Sequence, residues 1–367
     1  MITPQDIENP IIPEFEKYLR TPEPSVRERA DYWRTAIGLQ AIDQLTVSDF
    51  LKLTAQQHIE GQISADEADR RIKAYYQAKD IRLPDDEEKE EADKVSMNII
   101  KLLSEQSFTF SVAGFASIHR QIFKGVFKHA GQFRNYDITK KEWVLDGDTV
   151  LYAGCTQLQP TLEYDLAQEK QFDYTNLALP DAIRHIADFV ANIWQIHPFR
   201  EGNTRTTAVF TIKYLRSIGF KKINNDLFEQ HSWYFRNALV RANYKNVTKA
   251  VNPDNSFLVA FFRNLLLNEQ TPLHNRNLHI SLAGNQSAVQ SVNAALSKSN
   301  NCTLEEMATL QIIRRNPRVT QKQIAAEIGK SERTVKTITV NLVQKGMIVR
   351  RNGKRDGYWE IFDTFNF

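Results

Sequence analysis

Little in this chain ties it to a membrane or to the outside of a cell. Its 367 residues include two cysteines, Cys155 and Cys302. Two are too few for a disulfide framework, and no metal-ligand spacing accompanies them, so a reducing cytoplasm is the expected compartment. The longest apolar stretches fall far short of a bilayer span. The first residues, Met1-Ile2-Thr3-Pro4-Gln5-Asp6, lack the basic segment and apolar core of a secretory leader. No internal repeat is visible. The net charge of +3 is too mild to mark the whole molecule as a polyanion binder. The apolar fraction of 42% is ordinary for a globular protein, and the length predicts two or three units rather than one small core.

Against that plain background stands the run His197-Pro198-Phe199-Arg200-Glu201-Gly202-Asn203-Thr204-Arg205-Thr206. Helical periodicity flanks it. Ile183, Ile186, Phe189, Val190, Ile193 and Trp194 mark one apolar face over Ala182–Ile196, and Val209, Phe210, Ile212, Leu215 and Ile218 mark another over Thr204–Ile218. Pro198 stops the first helix, and Gly202-Asn203 starts the second. The polar groups therefore gather at a helix N-terminus, where free N–H groups and the dipole favour an anion. Gly202 permits close backbone approach, Asn203 offers a side-chain donor, and Arg205 offers a forked cation. Glu201 suits Mg²⁺, which takes one or two carboxylates with phosphates and water. His197, with an ordinary pKa of about 6.5, is the natural general base. Phe199 is expected to point inward as an anchor. These residue types predict a nucleotide phosphate, a metal and a hydroxyl to be deprotonated.

The run resembles the core motif of Fic-domain proteins, His-Pro-Phe-x-(Asp/Glu)-Gly-Asn-(Gly/Lys/Thr)-Arg. The resemblance extends over about residues 108 to 265, through Ile118-His119-Arg120, Phe123 and Ala130-Gly131-Gln132-Phe133-Arg134. It implies transfer of AMP from ATP to a Ser, Thr or Tyr hydroxyl of a target protein or of the chain itself. His197 would be the base and Glu201 the Mg²⁺ ligand. Gly202, Asn203, Thr204 and Arg205 would be nucleotide-binding, and catalysis would come from positioning and charge neutralisation. Many members carry a second arginine three residues after the first; here that position is Ala208. Arg236 or Arg241 could replace it, or could be structural.

Before the motif, β-formers on both sides of Asp146-Gly147-Asp148 predict a hairpin over Asp137–Tyr152. By the resemblance this is a flap that clamps the target by strand addition, with Lys141, Glu142, Trp143, Val144 and Leu145 as its residues. The N-terminal region reads as a helical module. Trp33, Ile37, Ala41 and Leu45 lie at helical spacing, Asp49–Gln62 continues as helix, and Ser64 followed by Glu67 is a capping signal. Residues 29–76 resemble the small antitoxin-type domain found with some Fic proteins. His58-Ile59-Glu60-Gly61 resembles the end of their inhibitory motif, which makes Glu60 an inhibitory candidate, although Gln56 stands where Ser or Thr is expected. The charge run Asp85–Asp93 predicts a solvated linker or helix start.

Toward the C-terminus, residues 275–301 are rich in Asn and Ser, with a possible helix over Leu278–Leu296. Helices are expected at Leu304–Arg315, Gln321–Ile328 and Glu332–Lys345, then a strand-turn-strand from Met347 to Ile361. This pattern resembles a winged helix-turn-helix, with Val335, Ile338, Leu342 and Val343 expected to turn inward. Residues 320–355 hold nine Lys or Arg and two Glu. Arg333 and Lys336 on the second helix, with Lys354 and Arg355 at the wing tip, are the DNA-binding candidates; a protein-interaction role fits the same fold. The expected architecture is mainly α: an N-terminal helical module (1–95), a Fic helical bundle with a β-hairpin flap (96–270), a linker (271–301) and a winged helix domain (302–367). The expected activity is ATP- and Mg²⁺-dependent adenylyl transfer with an inhibitory brake. The alternatives are a DNA-binding regulator with a nucleotide-sensing Fic unit, transfer of another phosphate group, and removal of AMP. A homodimer fits the pattern as well.

Overall fold

The computed structural model describes residues 13–78, 83–174, 177–220, 226–282, 302–352 and 357–362. Among them the architecture is mainly helical, and the described strands form one two-stranded sheet in the C-terminal unit. The N-terminal helices are α1 (Pro13–Leu19), α2 (Pro24–Gly38), α3 (Asp49–Ile59) and α4 (Ala65–Gln77). Proline in the first turn of α2 costs nothing, because its missing N–H would have no helical partner there. The helix expected to run to Leu45 instead tightens into a 3-10 turn, Leu39–Asp43, that ends on Gln44 in the left-handed region. Ser48 caps α3 by accepting from Leu51 N–H at 3.0 Å, and Ser64 caps α4 by accepting from Glu67 N–H at 3.2 Å.

The N-terminal helices are built into the rest of the molecule. α2 packs on α5 (Glu90–Ser104) and on α10 (Asp226–Gln230). A buried ion pair, Arg34 to Glu229 at 2.6 Å, crosses the second contact. Gly38 is needed there, since a Cβ would sit 2.3 Å from the Glu229 backbone. Asp93 of α5 accepts from Ser48 N–H, the Ser48 hydroxyl and the Tyr76 hydroxyl, so the charge run ends in a buried anchor rather than in solvent.

The central pair is α8 (Leu179–Ile196) and α9 (Asn203–Ser217), with α6 (Val112–Ile122), α11 (Ser232–Asn243) and α12 (Ser256–Leu267) around them. The face of α8 expected to be apolar is buried: Ile183, Ile186, Phe189, Val190, Ile193 and Trp194. Each such side chain stabilises the fold by about 1.5–3 kcal/mol. α9 is buried all round despite its polar sequence, so its polar groups need partners. Thr211 donates to Thr207 O, Lys213 donates to Leu102 O and Glu105 O, and Arg216 donates to Leu103 O. The two cations thereby satisfy the free carbonyls at the C-terminal end of α5, which also favours positive charge.

Helices α13 (Leu304–Arg315), α14 (Gln321–Ile328) and α15 (Glu332–Gln344) and strands β1 (Ile348–Arg351) and β2 (Tyr358–Ile361) form the winged unit. The strands pair antiparallel, Ile348 opposite Ile361 and Arg351 opposite Tyr358. Capping boxes at Thr303 and Thr320 start α13 and α14. Inside α15 lie Val335, Ile338 and Leu342, whereas Val343, expected inside, is 44% exposed and Thr339 takes the buried position. The winged unit rests on the start of α8, where Leu179 N–H donates to Cys302 O at 2.6 Å, and Gln311 reaches Leu266 O of α12. The expected helix over Leu278–Leu296 lies mostly outside the described residues, with a short 3-10 turn at Asn275–Leu278.

Candidate active site

His197 is the residue that ends α8. It holds a left-handed backbone, φ 51 and ψ 55, that a non-glycine residue adopts at a cost of about 1–2 kcal/mol. Strain of this kind persists only where the surroundings enforce it, and the enforcing group is Arg134. Its guanidinium is buried and donates to His197 O at 2.9 Å, Tyr136 O at 2.7 Å, Ile196 O at 3.4 Å and Ala153 O. Arg134 N–H adds a bond to Pro198 O at 2.8 Å. The sequence supplied Arg134 only as part of a supporting segment; a forked cation collecting carbonyls from three segments has no local pattern to reveal it.

The His197 ring is 3% exposed, with Tyr152 at 4.4 Å and Trp194 edge-on at 5.2 Å. Burial first, then the charge of Lys140 and to a lesser extent those of Arg236 and Arg134, hold its pKa well below the ordinary histidine value, against the opposing hydrogen bond of the Trp194 carbonyl. It is neutral at pH 7. The carbonyl oxygen of Trp194 lies 3.3 Å from Nδ1, which assigns the proton to Nδ1 and leaves Nε2 as an acceptor.

Phe199 is buried as expected, stacked on His119 at 3.7 Å and on Phe115 at 5.7 Å. His119 Nδ1 accepts from Gly131 N–H at 2.8 Å, which puts the proton on Nε2, facing Glu201 O at 3.1 Å. Asn203 also holds the loop together. Its amide is spent on Phe199, accepting from Phe199 N–H at 2.9 Å and donating to Phe199 O at 2.8 Å. It therefore latches the loop with its amide oxygen and one of its two amide N–H donors. Thr204 likewise accepts from Trp194 Nε1 at 2.8 Å, tying the start of α9 to the end of α8. Gly202, at φ 70, opens α9, and a Cβ there would lie 2.1 Å from the Phe123 ring.

Arg205 is buried, and it is already neutralised. Its Nε pairs with Asp43 at 2.8 Å, Nη2 with Glu91 at 2.8 Å, Nη1 donates to Gln40 at 3.0 Å, and its plane lies over Phe123 at 4.8 Å. The clamp comes from the 3-10 turn after α2 and from α5. Glu60 is not part of it. That carboxylate is exposed at the end of α3 and accepts from Tyr18, Gln56 and Gln62. The inhibitory assignment therefore finds no contact with the motif: Gly61 ends the helix, and the preceding Glu turns to α1.

Glu201 is an exposed carboxylate, with Lys140 Nζ 3.8 Å from it. Among the described residues no group of three metal-ligating side chains exists. A single carboxylate of this kind fits a Mg²⁺ ion completed by substrate phosphates and water.

The segment expected as a hairpin closes like one, with Glu142 N–H donating to Asp148 O at 2.9 Å. Its centre, however, is a 3-10 turn, Trp143–Leu145, leading to Asp146 at φ 55 instead of two extended strands. Val144 and Leu145 are fully buried, and Glu142 is buried against Arg236 at 2.7 Å with the Tyr152 hydroxyl at 3.3 Å. Of the five candidate flap residues, only Lys141 and Trp143 keep side-chain exposure. The chain itself lies along the loop, Ile280 N–H donating to Val144 O at 2.9 Å. Arg236 is spent on Glu142, whereas Arg241 is buried over Phe257 with its Nε and Nη1 lacking a hydrogen-bond partner.

On the winged unit, Arg333 and Lys336 are exposed on the outer side of α15, with Arg350 and Arg351 exposed on β1. Arg351 pairs with Glu360 at 2.5 Å. Lys354 and Arg355 lie outside the described residues. No described helix is long and apolar enough to cross a membrane.

Residues 109–215 match the model of the Fic/DOC family, and residues 306–349 match that of a winged helix-turn-helix DNA-binding unit. No curated protein matches the chain. Among solved structures, a Fic family protein from Desulfovibrio desulfuricans G20 is similar, with 13% identity over 95% of this chain and 90% of that one and a TM-score of 0.43. BepC from Bartonella tribocorum, a VirB-translocated Bartonella effector protein with bound AMPPNP, is similar with 19% identity over 50% of this chain and 88% of its own, and a TM-score of 0.38.

Proposed function

We propose that this chain, which carries a Fic/DOC-family domain followed by a winged helix-turn-helix unit, is a transferase of that family and specifically a protein adenylyltransferase that moves AMP from ATP to a protein hydroxyl, its own or a target's. The observation that carries the reading is a buried, neutral His197 that ends α8 with its Nδ1 turned to the Trp194 carbonyl, five residues before Gly202 opens α9, together with an exposed Glu201 that has Lys140 3.8 Å away. His197 Nε2 would take the proton of the hydroxyl. The hydroxyl oxygen would form the new bond to the α-phosphorus, and the bond to the pyrophosphate oxygen would break. A base held this far below its ordinary pKa is weak until charge changes around it. The incoming phosphates would offset the cations that add to the effect of burial, so basicity would rise in part when the donor is in place.

Glu201 would hold Mg²⁺, which would supply charge neutralisation on the phosphates. Arg205 would reach a phosphate only after exchanging Asp43 or Glu91 for it, which makes the 3-10 turn after α2 and the start of α5 a brake on the donor site at residues other than Glu60. Trp143 and Lys141 would meet the target. The test is transfer of a labelled α-phosphate to protein by wild type and by His197→Ala: the variant should still bind ATP and transfer nothing, and retained transfer would remove the base assignment.

A second reading rests on a different observation, the exposed Arg333 and Lys336 on α15 of a unit that matches DNA-binding winged helices. The chain would then also be a DNA-binding regulator. Salt-dependent binding to duplex DNA that survives His197→Ala would support it, and no binding at low salt would reject it.

A further inference from the structure

The cations around His197 differ in what already neutralises them. Arg134 is spent on four backbone carbonyls. Arg205 is spent on Asp43, Glu91 and Gln40, and Arg236 on Glu142. Position 208, where a further cation could stand on α9, is a fully buried alanine. Lys140 is held differently. Its backbone N–H donates to Thr149 Oγ1 at 3.1 Å, which fixes its place on the loop. Its side chain is 31% exposed, and its one ion pair among the described residues is the loose 3.8 Å approach to Glu201, which is itself 61% exposed. A compact charge on a flexible stem, poised beside a lone carboxylate and without a tight partner, is suited to meeting a phosphate as a point charge.

We propose that Lys140 is a phosphate-binding residue of this site, supplying the positive charge for the outer phosphates of a nucleoside triphosphate bound between His197 and the start of α9. The proposal rests on the reading above that the site takes a nucleotide. Lys140 also makes the largest charge contribution to the lowered pKa of His197, so neutralising it with a phosphate couples donor binding to the strength of the base. It is a loop residue outside the motif, and its spacing from His197 carries no sequence signal.

The experiment is isothermal calorimetry with ATP and with AMP on the full chain, for wild type, Lys140→Ala and Lys140→Arg, with transfer kinetics beside it. Lys140→Ala should raise the Kd for ATP about tenfold while changing that for AMP less than about twofold. Its KM for ATP should rise more than its kcat falls, and Lys140→Arg should recover most of the loss. Unchanged ATP affinity in Lys140→Ala overturns the proposal, as does an equal loss for ATP and AMP, which marks a structural role. Wild type that binds neither nucleotide overturns the nucleotide reading and this proposal together.

Discussion

At the scale of single residues, the site is held by neutral histidines and spent arginines, and both make predictions. Burial pushes His119 down to about 3, and burial followed by the Arg29 charge pushes His58 to about 4. A histidine whose folded pKa is lowered contributes stability that is present above its unfolded pKa and is lost as pH falls toward the folded value. Asp93 has the opposite sign. Burial raises it to about 6 against the hydrogen bonds of Ser48 and Tyr76, so it favours the fold as pH falls. Between about pH 7 and about pH 5, His119 costs about 2 kcal/mol and Asp93 returns about 1; His58 and His197 add to the loss. Urea unfolding should therefore show a lower midpoint at the acid end, with a smaller drop in His119→Gln. A midpoint that rises on acidification would contradict the assignments. Glycines give a second contrast. Gly202→Ala must displace the Phe123 ring and should cost about 2–3 kcal/mol, whereas Gly147→Ala, left-handed but with open space around it, should cost about 1 kcal/mol. Equal losses would mean the ring gives way freely. For the clamp, Glu60→Gly should leave transfer unchanged, while Asp43→Ala should lower the KM for ATP by freeing Arg205. The reverse pattern would restore Glu60 as the brake.

At the scale of elements, the sequence was legible where the pattern is local and illegible where the partner is remote. The ends of α8 and α9 followed from Pro198 and Gly202, and α13 and α14 start at Thr caps that the side-chain pattern announces. The winged strands came out close to where alternation placed them. The loop over 137–152 did not. Its β-formers are there to be buried, and Val144 and Leu145 turn inward through a 3-10 turn that no strand could make. Val343 went wrong for a smaller reason: Thr339 can enter the core because its hydroxyl is satisfied by Lys336 O and Gln321. Asp43 and Glu91 were invisible because they meet Arg205 across 162 and 114 positions of sequence. The element-scale prediction concerns α15. If its outer side lies on duplex DNA, Arg333→Ala and Lys336→Ala should each weaken binding across sequences and lower the salt slope by about one. Loss at one sequence alone would point to base contact, and no change in either would reject α15 as the contacting helix.

At the scale of the whole molecule, buried side chains from Phe15 to Trp359 form one connected cluster. The 3-10 turn after α2 and the start of α5 supply the clamp on Arg205, and the winged unit rests on α8 at the end opposite His197, about 27 Å away along the 18-residue helix. The chain should therefore unfold in one thermal transition, and two separated transitions would show that the winged unit is thermodynamically apart. The central claim is that His197 and the opening of α9 transfer AMP. Its most direct measurement is the intact mass of the purified chain after incubation with ATP and Mg²⁺, wild type beside Asp43→Ala and His197→Ala. The account predicts a gain of one AMP in wild type, a larger modified fraction in Asp43→Ala and none in His197→Ala. A gain of bare phosphate, or a gain that persists in His197→Ala, would contradict it.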